Sequence, residues 1–116
     1  MAEDIFCKII RGQINSDFVY RDEEFIVIKD INPQAPIHLL VVPIKHVDSL
    51  EDFMEGSESC LLGRALLIAH KTAQQEGMAE KGYRLIMNEG EYGGKLVPHL
   101  HIHLLGGKKL GSKIVK

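Results

Sequence analysis

Three histidines stand at alternate positions near the end of the chain, within the stretch 97–105, whose sequence is VPHLHIHLL. In an extended strand the side chains switch faces at every residue. His99, His101 and His103 would therefore point the same way, with neighbouring rings about 6.6 Å apart. The apolar residues between them would point the other way. The spacing predicts a strand over 98–105 with one face in the core and a row of imidazoles on the other.

The row of imidazoles has one structural and two functional interpretations. A solvated strand face is the usual one for a single histidine, but three in register give up packing that Val, Thr or Tyr would supply. A metal site is the first functional interpretation, because His-x-His offers two nitrogens to zinc, although a hydrolytic zinc centre also needs an open position and a base. A nucleophile site is the second. There, one unprotonated ring nitrogen attacks phosphorus or carbonyl carbon, while the neighbouring rings fix its tautomer and donate to the developing oxyanion.

The composition of the chain limits the class of protein. The 116 residues are 45% hydrophobic and 26% charged, which is the size and balance of one globular domain over residues 1–116. Fourteen basic and sixteen acidic residues give a net charge of −2, so we expect no nucleic-acid surface. The absence of an apolar N-terminal segment and of a run of about 18 apolar residues predicts a soluble, cytoplasmic protein without a membrane partner. Cys7 and Cys60 are expected to be reduced thiols.

Two helices and five strands are predicted to position the histidine row. Apolar residues at helical spacing predict a short helix over 5–11, with Asp4 as its N-cap and Gly12 as its stop. The same spacing predicts a longer helix between Ser57 and Gln75. Apolar and β-branched runs predict strands over 18–21, 25–29, 37–44, 83–88 and 98–105. With hairpin-length connections, this order indicates an α+β fold with a five-stranded antiparallel sheet.

At these residues the sequence resembles the histidine triad (HIT) family. The family signature is His-φ-His-φ-His-φ-φ, where φ is apolar, and residues 99–105 carry all of it. The resemblance to the Hint-like branch extends over about residues 3–107, through the segments 5–10, 30–36 and 88–90. It implies the same α+β fold, and it adds a homodimer in which two sheets join edge to edge into one ten-stranded sheet.

The resemblance also implies an activity for the histidines. The branch contains nucleoside 5′-phosphoramidate hydrolases, which act at the α-phosphorus of purine nucleoside phosphoramidates of the AMP-amide type through a covalent nucleotidyl-histidine. By this pattern His101 is the nucleophile, His103 holds a phosphate oxygen and His99 helps to orient the row. His38 reaches in from the adjacent strand, although a buried structural histidine is an equal interpretation of it. His46 matches a histidine that contacts His99 from behind.

A pocket for a purine nucleotide follows from the same resemblance. Asp30 matches the carboxylate that binds both ribose hydroxyls, although an Asp before Asn-Pro also suits a turn. Asn88 matches a residue near the ribose and phosphate, and Gly94 matches a glycine whose backbone approaches the phosphate. The base would lie in an apolar slot whose residues could equally be ordinary core. The slot residues are Ile5, Phe6, Ile9, Ile28 and Ile31.

The chain departs from the branch just before the triad. The branch has Gln-Ser or Gln-Thr where this chain has Lys95 and Leu96. A hydroxyl there can donate to the leaving group or the phosphate, and leucine cannot, so we expect a loss of about 1 kcal/mol or more of leaving-group assistance if the site is desolvated. Lys95 would place a cation on a phosphate instead, which favours longer polyphosphates. Dinucleoside polyphosphate hydrolysis is therefore an alternative function, and a nucleotide-binding interaction module with vestigial activity is another.

A structural zinc ion is the one metal that the resemblance raises. Many bacterial HIT proteins bind zinc through Cys-x-x-Cys near the N-terminus and the equivalents of His46 and His99. Here the first pair is Asp4 and Cys7, so the site has one thiolate fewer and less affinity for zinc. The triad chemistry requires no cofactor. The chain also lacks the Trp-Pro-Pro-Gly tail of the branch, which leaves the leaving group, the base and any protein partner open.

Overall fold

The fold is a five-stranded antiparallel sheet with one helix packed on each face. We describe it from a computed structural model, which covers residues 4–54 and 59–112. The helices are α1 (Ile5–Ile10) and α2 (Ser59–Gln75), and a short 3₁₀ helix spans Leu50–Phe53. The strands are β1 (Phe18–Arg21), β2 (Phe25–Lys29), β3 (Ile37–Pro43), β4 (Arg84–Ile86) and β5 (Ile102–Gly106). The predicted fold class is confirmed.

The sheet has the strand order β1-β2-β3-β5-β4, and all of its pairs are antiparallel. The predicted hairpin of β1 and β2 is present, and Asp22 forms its turn because Oδ1 accepts the N–H groups of Glu24 and Phe25 at 2.7 Å each. β5 lies between β3 and β4, where Leu40 of β3 is opposite His103. This register places the end of the triad beside the most buried strand of the sheet.

Two hydrophobic cores lie on opposite faces of the sheet. Alternate residues of β2 and β3 point to each face, and the two sets belong to different clusters. One set packs against Ala65, Ala69 and Ala73 of α2, and the other packs against Phe6 and Ile9 of α1. Because both faces are covered, β3 can be almost wholly apolar, as its sequence predicts.

The ends of the helices follow the predicted caps. The Oδ1 of Asp4 accepts the N–H of Cys7 at 2.9 Å, and Gly12 takes the left-handed φ of 78° that ends α1. Gly77 does the same after α2 with a φ of 77°. The predicted start of that helix at Ser57 lies outside the described residues. Within the described ranges no helix has the length and apolarity that a membrane span requires.

The predicted last strand was wrong at its beginning, because β5 starts at Ile102 and only His103 of the three histidines lies on it. The ladder between β3 and β5 ends at Val41 and Ile102, and beyond it Pro43 and Pro98 have no N–H to donate. The N–H of Leu100 donates to Val47 instead, at 2.7 Å. The alternation nevertheless continues, because Leu100 joins the α2 core while His99 and His101 contact Phe6 on the other face.

Candidate active site

A cavity of about 460 Å³ opens between α1, the end of β2 and the triad. Its lining is mostly apolar, which suits a nucleobase. The predicted site residues that line it are Ile5, Phe6, Ile9, Ile28, Asp30, Ile31, Asn88, Gly94, Leu96, His101 and His103. His38, His46 and His99 lie behind this lining. Sequence reasoning missed further lining residues, of which Asn15, Ser16 and Lys29 are polar and carry no motif.

Phe6 connects the wall of the cavity to the histidines. Its side chain is 5% exposed, and its ring lies 5.0 Å from the ring of His101 and 5.6 Å from that of His99, centre to centre. Phe6 therefore belongs to the α1 core and to the cavity wall at once. The two interpretations of the apolar slot, core and base pocket, hold together for this residue.

His101 has a fixed tautomer. Its Nδ1 lies 2.7 Å from the carbonyl oxygen of His99, and a carbonyl oxygen only accepts, so the proton is on Nδ1 and the lone pair is on Nε2. Burial lowers the pKa of His101 below its usual value, against the opposing effect of this hydrogen bond. The ring is thus neutral at pH 7, and Nε2 has the electron pair that a nucleophile needs.

His103 is oriented by His38 from the neighbouring strand. The main-chain N–H of Gln34 donates to Nδ1 of His38 at 3.0 Å, so the proton of the neutral His38 ring is on Nε2. The Nε2–H of His38 donates to Nδ1 of His103, and the two nitrogens are 2.9 Å apart. The remaining proton of His103 is on its own Nε2. Burial and the neighbouring rings of His101 and His38 lower the pKa of His103 to about 4, so this ring is neutral as well.

His99 lies outside the cavity and is fully buried. Its Nε2–H donates to the carbonyl oxygen of Pro43 at 2.8 Å, and its Nδ1 lies on the side of α1, 3.1 Å from Oδ2 of Asp4. The group of His99 that contacts His101 is the main-chain carbonyl, whose oxygen accepts the hydrogen bond from Nδ1 of His101. His46 packs edge-on against His99 with ring centres 4.9 Å apart, which is the contact that the family pattern predicts.

Asp4, Cys7, His46 and His99 form a cluster in which one ligand atom from each lies within 4.8 Å of all the others. The Oδ2 of Asp4 lies 3.1 Å from Nδ1 of His46 and 3.1 Å from Nδ1 of His99. The Sγ of Cys7 lies 3.3 Å from Nδ1 of His46. Carboxylate, thiolate and two imidazoles are a set that zinc accepts. The four residues therefore suit the structural zinc ion that the family resemblance implies.

The loop before the triad, residues 90–96, contributes to the cavity through Gly94 and Leu96. The Nδ2 of Asn88 donates to the carbonyl oxygen of Gly93 at 2.6 Å and so fixes the loop to the end of β4. Gly94 has a φ of 81°, a conformation that side chains rarely adopt. Leu96 is 92% exposed at the mouth of the cavity, as is Ile31 at 91%.

Lys95 does not line the cavity, although, besides burial, its charge helps to lower the pKa of His101, and the structure gives no support to its expected contact with a phosphate. Its ammonium donates to the main-chain carbonyl of Asp48 and lies 3.0 Å from the Asp48 carboxylate. The Glu89 carboxylate is 3.9 Å away, and the Lys95 side chain is only 9% exposed. Two acceptors from one neighbouring loop hold the cation better than open solvent would, so Lys95 connects residues 90–96 to that loop.

Asp30 lines the cavity and also contacts His38. Its Oδ1 accepts the N–H of Asn32 at 2.8 Å, which is the turn that its position before Asn-Pro predicts. Its Oδ2 lies 3.3 Å from Nε2 of His38. The turn and a place in the site therefore coexist. The contact with His38 was not predicted, since no local pattern connects the end of β2 to a histidine on β3.

Comparison with known proteins places the chain in a family. The family model described as HIT domain matches residues 11–110. The purine nucleoside phosphoramidase of Escherichia coli (strain K12) is 50% identical over 115 residues, which cover 98% of this chain and 96% of that protein. A HIT family hydrolase from Clostridium thermocellum has a TM-score of 0.92 at 44% identity, over 99% of each chain. A HIT family hydrolase from Legionella pneumophila has a TM-score of 0.89 at 43% identity, over 95% of this chain and 97% of that one.

The chain therefore belongs to the HIT family, as its triad predicts.

Proposed function

We propose that this protein hydrolyses purine nucleoside phosphoramidates at the α-phosphorus through a nucleotidyl group on His101. The observation that carries the proposal is the tautomer of His101, whose Nε2 lone pair belongs to a ring in the cavity wall. The apolar part of the cavity suits a purine, and Asp30 suits the ribose hydroxyls. The name of the 50% identical E. coli relative supports the substrate class.

The first chemical step forms a bond between Nε2 of His101 and the α-phosphorus and breaks the phosphorus–nitrogen bond. The electron pair of the broken bond leaves with the amine, which takes up a proton from solvent. The imidazole becomes cationic, and its Nδ1–H already donates to the carbonyl oxygen of His99, so no group has to move to stabilise the charge. The Nε2–H of His103 is the donor available to a nonbridging phosphate oxygen. Water then attacks phosphorus and loses a proton to solvent, the bond between phosphorus and Nε2 breaks, and the nucleoside monophosphate leaves while His101 returns to its neutral form.

The structure does not support the Lys95–phosphate contact that favoured dinucleoside polyphosphate hydrolysis. That alternative depended on a Lys95 cation near the phosphates, and the ammonium is bound to Asp48 and Glu89 instead. A binding module with vestigial activity is disfavoured by the protonation states of His101 and His103, because both suit the chemical step. Neither alternative is favoured by another contact in the described residues.

The proposal is tested by turnover of an adenylyl phosphoramidate whose amine fluoresces on release. We expect AMP and free amine in equal amounts, at a higher kcat/KM than for a dinucleoside polyphosphate. Nucleotide binding without turnover of either substrate would instead establish the binding module. Faster turnover of the polyphosphate would establish the alternative hydrolase.

Leu96 gives a prediction about the leaving group. If a hydroxyl donates to the departing amine only in the transition state, Leu96→Ser should raise kcat/KM for phosphoramidates with poor leaving groups about tenfold, the equivalent of one hydrogen bond of about 1.4 kcal/mol. Anhydride substrates should gain less, because their phosphate leaving group needs less protonation. Leu96→Ala is the matched control, since it shortens the side chain without adding a donor. Equal gains in kcat/KM for Leu96→Ser and Leu96→Ala would mean that the gain comes from added space at the mouth of the cavity and not from a hydrogen bond.

We also propose a homodimer. β4 is a sheet edge of only three residues, and α2 leaves Leu66 51% and Leu67 69% exposed. An edge strand and exposed leucines are both protected when a second copy covers them. Sedimentation at micromolar concentration should give twice the chain mass of 13.0 kDa. A species of the single-chain mass would contradict the joined ten-stranded sheet.

A structural zinc ion at Asp4, Cys7, His46 and His99 is proposed as well. It would neutralise the Asp4 carboxylate and tie the start of α1 to the segment before β5, and no chemical step depends on it. Metal analysis of the purified protein should find zinc near one equivalent per chain, and Cys7→Ser should lower both the metal content and the Tm. A full metal content in Cys7→Ser, or none in the wild type, would remove the zinc site.

A further inference from the structure

The Nε2 proton of His38 faces two acceptors. The Gln34 N–H occupies Nδ1 of His38, so the neutral ring has one proton to donate, on Nε2. Nδ1 of His103 lies 2.9 Å from this nitrogen, and Oδ2 of Asp30 lies 3.3 Å from it. Both acceptors compete for the same proton. The imidazole is the nearer acceptor, but the carboxylate is charged, and hydrogen bonds to charged groups are about twice as strong.

The Asp30 carboxylate is held in this position by the chain itself. Its Oδ1 accepts the Asn32 N–H at 2.8 Å, and its main-chain N–H donates to the carbonyl oxygen of His38 at 3.0 Å. The carboxylate is thus fixed on both sides with Oδ2 directed at His38. A ligand can change the competition only by supplying Oδ2 with another donor.

Ribose hydroxyls are such donors. We propose that their binding to Asp30 withdraws Oδ2 from His38 and leaves the Nε2 proton of His38 wholly to Nδ1 of His103. The sugar then helps to orient His103, whose Nε2–H holds the phosphate. This inference rests on the proposed function and deepens it. Asp30 is a positioning residue in this account, besides its predicted place in ribose binding. The substrate class that the site favours is then a ribonucleotide, selected in the chemical step as well as in binding.

Two substrates separate this role from simple binding, an adenosine 5′-phosphoramidate and its 2′,3′-dideoxy analogue. At saturating enzyme in single turnover, we expect the wild type to form the nucleotidyl-enzyme about tenfold more slowly from the dideoxy substrate, beyond any loss of affinity. In Asp30→Asn the two first-order rates should be equal. This variant keeps an oxygen for the Asn32 N–H but presents an amide, which is a donor, to His38. The dideoxy substrate should therefore react faster in Asp30→Asn than in the wild type.

The matched control is Asp17→Asn, which removes the same charge from an exposed position outside the triad. It should keep the wild-type difference between the two substrates. Asp30→Ala is a second variant of the same acceptor, and it should also equalise the rates. A substrate difference confined to KM in the wild type, or a dideoxy rate in Asp30→Asn no higher than in the wild type, would overturn the inference and leave the proposed function intact.

Ring ¹⁵N chemical shifts give a readout that does not need turnover. AMP should shift Nδ1 of His103 and Nε2 of His38, as the hydrogen bond between them strengthens, and it should shift them more than 2′,3′-dideoxy-AMP, because the phosphate contact at Nε2 of His103 is common to both nucleotides. Equal shifts with both nucleotides would contradict the inference. Absence of turnover with every nucleotide would remove the proposed function, and with it the effect on the rate.

Discussion

Replacing His101 with alanine or glycine should abolish turnover while changing nucleotide affinity by less than about tenfold. The ring supplies the nucleophilic Nε2 but only one contact to the phosphate. Most of the remaining lining is apolar, and its residues come from several elements that the substitution does not replace. Loss of the covalent step with retained binding is therefore the expected result.

The measurement is turnover of the adenylyl phosphoramidate together with a trapping experiment. A nucleotide label that is labile in acid and stable in base should accumulate on the wild type and be absent from His101→Ala. His70→Ala is the matched control, because His70 is an exposed α2 histidine that hydrogen-bonds Tyr83 away from the cavity. It should turn over like the wild type. Undiminished turnover in His101→Ala would end the nucleophile assignment.

The elements of the fold were predictable because each has a local signal. The hairpin of β1 and β2 follows from β-rich runs around an acidic turn, and α1 follows from helical spacing between Asp4 and Gly12. The alternation of the triad correctly predicted which of its residues point to each face of the sheet. It could not give the start of β5, because the N–H of Leu100 donates to Val47, which is distant in sequence, and the ladder with β3 ends at Val41 and Ile102.

The contacts that set protonation in the site were not predictable from spacing. Gln34 lies four residues from His38, yet only the bend of the loop brings its N–H to Nδ1. Lys95 binds Asp48, which is 47 residues away, so its sequence position beside Leu96 gave the wrong direction for the cation. Long side chains reach whichever acceptor the fold brings near, and sequence alone does not reveal that acceptor.

Gly93→Ala should lower turnover about a hundredfold while the protein stays folded. A Cβ at Gly93 would meet the main chain of Glu89, with its nitrogen at 2.9 Å and its carbonyl carbon at 3.1 Å. Backbone cannot move aside as a flexible side chain can, so residues 90–96 must shift. Those residues carry Gly94 and Leu96 into the cavity, and a displacement of about 1 Å at a reacting centre costs about that factor.

Gly63→Ala is the matched control for Gly93→Ala, because a Cβ at Gly63 meets nothing within 4 Å. Gly63 is an exposed position inside α2, where alanine should raise the free energy of unfolding by about 0.5–1 kcal/mol and leave turnover unchanged. Turnover and thermal unfolding of both variants separate the two effects. Wild-type turnover in Gly93→Ala would mean that the loop accommodates the methyl group without moving the cavity lining. A large fall in Tm with the loss of turnover would attribute the loss to folding, whereas an unchanged Tm would attribute it to the position of Gly94 and Leu96 beside the triad.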